Sequence, residues 1–228
     1  MTLRSAPTGD TLVLTIERPP VNALDLPTVE MLANAFAVVA ANPPKGGLVL
    51  TGAGDRCFSA GVDVNVFFEE YGPDLQGAML LAITRMTAAL LAIPCPVVAA
   101  VNGHALGGGF VLMMCCDHRL APDSPNARFG LLEVQAGVPF PAGPAEIMRS
   151  ELPPTLLRRW SLAGTIVPPR ELLAAGVVDA LHPPKMVLYQ ALKTATALAK
   201  QPAYAKVKRQ VRGPLADRLA LLVERGDL

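Results

Sequence analysis

Apolar positions along the first 120 residues switch between two periods. "TLVLTIERP" at 11–19 is a compact apolar run closed by Pro19 and Pro20, and it predicts a strand. "LPTVEMLANAFAVVAAN" at 26–42 repeats apolar positions at helical spacing, with Pro27 suited to a first turn and "NPP" as a stop. "GGLVLTG" at 46–52 predicts a short buried strand between glycines. Residues 74–92 return to helical spacing, "CPVVAAVNG" at 95–103 predicts another buried strand, "FVLMMCCD" a buried helix and "HRLA" the next strand. This alternation argues for an α/β layered fold. From residue 142 the texture changes to helical segments punctuated by proline: "PAEIMRSEL", "PTLLRRWSLAG", "PRELLAAG", 184–200 and 214–225. There is no repeat period. The expected organisation is a core over 1–185 followed by a C-terminal helical region over 186–228.

Composition sharpens this picture. Of 228 residues, 51% are hydrophobic and 17% charged, which argues against disorder and for a broad core. A net charge of +1 leaves no electrostatic footprint for nucleic acid. Cys57, Cys95, Cys115 and Cys116 show no metal-ligand spacing, and read as small buried thiols in a reducing cytosol, so no metal is expected. The start of the chain shows no cationic segment followed by an apolar stretch, so a cytoplasmic protein is expected. "VVAAVNGHALGGGFVLMMCC" at 97–116 has no formal charge over twenty residues, about the length of a membrane span. Its three consecutive glycines would each cost a helix about 1 kcal/mol, so strand, glycine loop and helix fit better and no membrane partner is expected.

Two glycine-containing turns each follow a buried strand: "FSAGVD" at 58–63 and "GHALGGGF" at 103–110. Glycine there lets the backbone approach a ligand closely. A helix starting near Gly108 would present N–H groups without intrahelical partners, an anion site aided by the helix dipole. Two such groups converging would make an oxyanion hole. Tight packing alone explains such glycines equally well, and the GxGxxG order and Walker lysine of nucleotide sites are absent. Further on, "GLLEVQAGVPFP" at 130–141 holds one charged residue, Glu133, among apolar and small ones. It is either a surface carboxylate or an acid kept in a perturbed environment.

"CFSAGVDV" and "PVVAAVNGHALGGGFVLMMCCDHRLA" strongly resemble the enoyl-CoA hydratase/isomerase (crotonase) superfamily, with "IERPPVNAL" and "RELLAAGVVDALHP" resembling its flanking signatures in the expected order. The resemblance covers residues 10 to 225. It implies a spiral of ββα units forming two near-perpendicular sheets with C-terminal helices, a homotrimer or dimer of trimers, and an acyl-CoA thioester as substrate with no separate cofactor. It places two oxyanion-stabilising backbone N–H groups at Val62 and Gly108. Val21, Ser59, Ala60, Val64 and Gly107 become expected substrate contacts, and Asp63 either contacts the ligand or caps its turn. Hydratases of the family use two glutamates; the first position matches Val111, the second Glu133. "CDHRLAPDSPNARFGLLEVQAGV" resembles the Δ3,Δ2-enoyl-CoA isomerase branch, which keeps only the second glutamate.

The expected reaction is therefore isomerisation of 3-enoyl-CoA to 2-enoyl-CoA, with Glu133 as a lone proton shuttle. Leu131, Leu132, Val134 and Phe140 are expected to bury it and raise its pKa. The alternatives are hydration, decarboxylation through the same enolate, or a non-catalytic acyl-CoA-binding protein, the last motivated by Val111 and by a C-terminus that ends earlier than the resemblance implies. His104 is expected to pack beside the glycine turn and Asp117 to order the helix-to-strand junction. Lys206, Lys208, Arg209 and Arg212 read as a solvated helix face, with contact to CoA phosphates as the alternative.

Overall fold

The structure, a computed structural model, describes residues 2–227. Its elements in chain order are β1 (Leu3–Thr8), β2 (Thr11–Ile16), α1 (Leu26–Ala41), β3 (Leu48–Gly52), β4 (Cys57–Ser59), α2 (Pro73–Leu91), β5 (Val97–Ala100), β6 (His104–Leu106) and α3 (Gly108–Cys115). These are followed by β7 (His118–Pro122), β8 (Phe129–Gly130), α4 (Glu133–Ala136), α5 (Ala142–Glu151), α6 (Pro154–Ala163), α7 (Pro169–Ala174), β9 (Ala180–His182), α8 (Val187–Ala199) and α9 (Tyr204–Arg225). A six-stranded sheet runs β1-β2-β3-β5-β7-β9, parallel except for the β1–β2 hairpin. A second, three-stranded parallel sheet runs β4-β6-β8.

The apolar runs behave as central parallel strands should, buried on both faces. Leu14, Ile16, Leu48, Leu50, Val97 and Ala99 face the main core with α1 and α2. The alternate residues Val13, Val49, Val98 and Ala100 face Val187, Ala191 and Ala195 of α8. The helix expected at 26–42 forms at Leu26–Ala41, capped by Asp25, whose Oδ1 accepts the Thr28 N–H at 2.9 Å.

Three features were not legible from periodicity. The first is β1, whose residues are mostly exposed; it exists because the tight turn at Gly9–Asp10 pairs it with β2 from Leu3↔Ile16 to Thr8↔Thr11. The second is the small sheet, whose strands are only two or three residues long and lie inside stretches that read as loops and glycine turns. The third is α9, expected only from 214, which begins at Tyr204 and carries Pro214 inside it. Proline removes one ladder hydrogen bond, but Leu215 and Leu219 are buried beyond it, and packing carries the helix through.

Ion pairs before Pro214 fix α9 as well. Lys208 Nζ meets Asp117 Oδ2 at 2.6 Å and Arg212 Nη1 meets Asp117 Oδ1 at 2.9 Å, with Asp117 only 7% exposed. Arg212 also binds Glu151, which pairs with Arg119. Lys208 and Arg212 are thus neither a solvated face nor free for phosphates: they tie α9 to the α3–β7 junction, because a buried carboxylate needs paired cations. Arg209 stays on the surface with Asp217. Among the described residues no helix is long and apolar enough to cross a membrane.

Asp117→Asn leaves Lys208 and Arg212 short of their shared counter-charge. It is expected to cost about 3–5 kcal/mol of stability, read by urea denaturation.

Candidate active site

The small sheet sets the site. β6 lies between β4 and β8, so the turn after β4 and the turn after β6 leave the sheet side by side. Their contact is backbone on backbone. A Cβ on Gly61 would lie 2.6 Å from Leu106 O and 2.8 Å from Gly108 N, and Gly61 has φ +82°, which disfavours any side chain. A Cβ on Gly109 would strike Ser59 O at 2.2 Å. Any larger residue would push the two turns apart.

This contact gathers two amides. Leu24 forms an isolated parallel bridge with Val62: the Leu24 N–H donates to Gly61 O at 2.8 Å, and the Asp63 N–H donates to Leu24 O at 2.9 Å. That pattern turns the N–H of Val62 away from Leu24. The Gly108 N–H opens α3 and has no intrahelical acceptor. A Cβ built on Gly108 would lie 3.8 Å from Val62 N, so the two amides neighbour one another. The α3 dipole adds positive potential at the same point.

Glu133 opens α4, a single turn after β8. A Cβ placed on Gly107 would lie 3.6 Å from Glu133 Oε1, so the carboxyl stands against the glycine turn. Its Oε2 is buried and has no hydrogen-bond partner among the described residues. Burial pushes this carboxyl up to about 7, against a smaller opposing effect of a hydrogen bond to its own backbone. A half-buried residue with one sealed, unpartnered oxygen is poised to hold or release a proton.

Val62, Gly108 and Glu133 share one cavity of about 420 Å³. Val21, Ala60, Asp63, Val64 and Gly107 line it as well. Ser59 does not. It is fully buried, its hydroxyl donates to Asn22 O at 2.8 Å and accepts the Gly61 N–H at 3.2 Å, and it supports the turn from behind. Two of the side chains expected to bury Glu133 need correction. Val134 is 56% exposed because α4 is one turn long and turns it outward, and Phe140 does not reach the cavity. Leu132, as expected, lines the wall, and Ala136 and Val138 join it.

Two carboxylates, Glu133 and Asp63, line the cavity among the described residues. Asp63 is bound to Arg18 at 2.8 Å, leaving Glu133 as the unpaired one. Val111 faces the same cavity and is 1% exposed. His104 sits on β6, accepts the Arg128 N–H at its Nδ1 and does not line the cavity; burial, with Arg56 and Arg128 nearby, lowers its pKa. The four cysteines are free, and Cys95 is only half-buried. No group of three His, Cys, Asp or Glu side chains among the described residues could hold a metal. Sequence reasoning missed Ile83 from α2, Gln135, and the prolines Pro139, Pro141 and Pro144. The proline run in "GVPFPAGP" was the available signal for that wall; Ile83 gave none, being one of many apolar positions on its helix.

Comparison with known proteins agrees with this geometry. The family model for enoyl-CoA hydratase/isomerase matches residues 8–224. The chain is 32% identical to carnitinyl-CoA dehydratase of Salmonella arizonae over 201 residues, 87% of this chain and 73% of that protein. It is 33% identical to 2,3-dehydroadipyl-CoA hydratase of Escherichia coli over 190 residues, 83% of this chain and 72% of that one. Across such curated relatives the chain spans between 64% and 73% of their length. The crystal structure of human mitochondrial Δ3,Δ2-enoyl-CoA isomerase superposes with a TM-score of 0.89 at 25% identity, covering 99% of this chain and 90% of that one. The paired glycine turns, the two sheets and the match along almost the whole length make this chain a member of the enoyl-CoA hydratase/isomerase (crotonase) family of acyl-CoA enzymes.

Proposed function

We propose that the protein is a Δ3,Δ2-enoyl-CoA isomerase in which Glu133 works alone. The observation that carries this reading is the single unpaired carboxyl in the cavity, with Val111 where a second acid would stand. In this mechanism the thioester oxygen of a 3-enoyl-CoA lies between the N–H groups of Val62 and Gly108. Glu133 removes a proton from C2, and the electron pair delocalises through the C3–C4 double bond and the thioester as a dienolate. The protonated carboxyl then returns the proton to C4, leaving the double bond between C2 and C3. The two N–H donors act where charge develops, in a largely apolar cavity that strengthens them. A carboxyl near pKa 7 is basic enough to take the proton yet able to give it back.

A second reading is hydration or its reverse, favoured by the names of the relatives, a dehydratase and a hydratase. It requires a bound water to be activated and a proton delivered by one carboxyl, because valine transfers none. Product mass separates the two: isomerisation leaves it unchanged and hydration adds one water. We expect conversion of a 3-enoyl-CoA at unchanged mass, and a lowering of kcat by Glu133→Gln of about 10²–10⁴-fold. Full activity in that variant would overturn the mechanism.

The pH dependence follows from the same carboxyl. Only the ionised form accepts the C2 proton, so kcat/KM should rise with pH through about 7 and level above it.

Stability should move the other way. Folded Glu133 keeps its proton up to about 7, whereas the unfolded chain releases it near the ordinary value of 4.5. The native state thus binds more protons across that window, and the stability this group contributes, complete below it, is lost as pH rises through 7. Glu133→Gln should therefore be stabilised relative to the parent at pH 8 but not at pH 4.5, by up to roughly 3 kcal/mol, read as the difference between two denaturation series.

A further inference from the structure

Arg18 does not line the cavity, yet it binds two segments that build it. Its Nη1 meets Asp63 Oδ2 at 2.8 Å and its Nε meets Asp25 Oδ2 at 3.0 Å. The Arg18 side chain is 24% exposed, and those of its two partners, Asp63 and Asp25, 20% and 19%, so the cluster is shielded from much of the solvent. Asp63 directly follows Val62, the first amide of the donor pair. Asp25 directly follows Leu24, whose backbone brackets Val62 by bonding Gly61 and Asp63. The Leu24 side chain reaches the second donor too, with its Cδ1 3.3 Å from where a Cβ on Gly108 would stand. Leu24 thus touches both turns, and the fork of Arg18 ties the residues immediately after Leu24 and Val62 to each other.

We propose that Arg18 is a positioning residue that sets the direction of the Val62 N–H and its spacing from Gly108, acting through Asp63 and Asp25. The inference rests on the reading of Val62 and Gly108 as the oxyanion donors. The planar fork of arginine suits the task, since it binds two carboxylates at once from one rigid group. Without it, the Val62 end of the turn is held to Leu24 by backbone bonds alone, since the side-chain bonds of Ser59 and Asn22 brace the other end. Asp63 would then remain an uncompensated carboxylate at the cavity, beside the place where negative charge develops. A donor that drifts by a fraction of an ångström polarises the carbonyl less while leaving the apolar contacts to the acyl group in place. The loss should therefore fall on turnover and not on binding.

The test reads the carbonyl directly. Butyryl-CoA labelled with carbon-13 at the thioester carbon cannot isomerise, and its carbonyl stretch reports polarisation by infrared difference spectroscopy. Parent protein should move the stretch to lower wavenumber, and Arg18→Met should lose most of that displacement. On a 3-enoyl-CoA the same variant should lose about 10–100-fold in kcat with KM within about threefold, below the full loss of one donor. Arg18→Lys should recover only part of the displacement, because one ammonium cannot span both carboxylates. If Arg18→Met does not fold, Asp63→Ala severs the same tether and should lose the displacement likewise. A folded tether variant with the parent's stretch and kcat would overturn the proposal, whatever its melting temperature. Parent protein that polarises butyryl-CoA but turns over no 3-enoyl-CoA would overturn the isomerase reading while leaving Arg18 to be judged on the stretch alone. Absence of any displacement in the parent would remove the donor pair and the role of Arg18 with it.

Discussion

The site depends on two turns meeting backbone to backbone. Gly61 lies against Leu106 O and Gly108 N, and Gly109 against Ser59 O, closer than any Cβ permits. This approach places an amide from the 59–63 turn beside the first amide of α3. The three-stranded sheet exists to hold it: β4, β6 and β8 supply few hydrogen bonds, but they fix the register from which both turns depart. Ser59 and Asn22 brace the same turn from behind, Ser59 through its hydroxyl and Asn22 by donating its side-chain amide to Cys57 O at 2.7 Å.

Electrostatics then assigns opposite tasks to the ends of α3. Its N-terminus carries glycines and no side chain, leaving N–H groups free to meet the negative charge that the proposed reaction develops. At its C-terminus the carbonyls of Met114 and Cys115 receive Arg212, and Arg119 also reaches Met114 O. The helix is buried from Gly109 onward, so its C-terminal carbonyls are met by side-chain cations, while its first amide opens on the cavity. The cations at one end come from α9 and β7, which explains why the last helix is anchored by buried ion pairs. Glu133 faces the other end from outside the helix, and its cost is of another kind: a carboxyl with one oxygen sealed and unpartnered reduces stability wherever it is ionised.

Much of this was readable in the chain. Long periodic segments such as 26–42 and 74–92 became helices within a residue or two, because burial of one apolar face dominates their choice of structure. The resemblance carried Val62, Gly108 and Glu133 to positions that share one cavity. Short strands were not readable, since two or three residues cannot show a period and their pairing is decided by partners far away. The same holds for the surroundings of Glu133. Neighbours in sequence were expected to bury it, but α4 turns Val134 outward, and part of the cavity wall comes from Ile83, some fifty positions earlier. Lys208 and Arg212 misled for a related reason: charge in a helix reads as solvated until a distant buried carboxylate, here Asp117, is placed against it.

The central claim is that one carboxyl both removes and returns the proton. Its sealed Oε2 favours return of the proton before exchange with solvent. The direct measurement is the deuterium content at C4 of 2-enoyl-CoA formed from unlabelled 3-enoyl-CoA in a single turnover in heavy water, read by mass spectrometry. A lone shuttling carboxyl predicts that the hydrogen newly added at C4 is largely the protium taken from C2, so that product carries well under one deuterium per molecule there. One full deuterium per product molecule at the position newly added to C4, or product carrying the mass of an added water, would contradict the account.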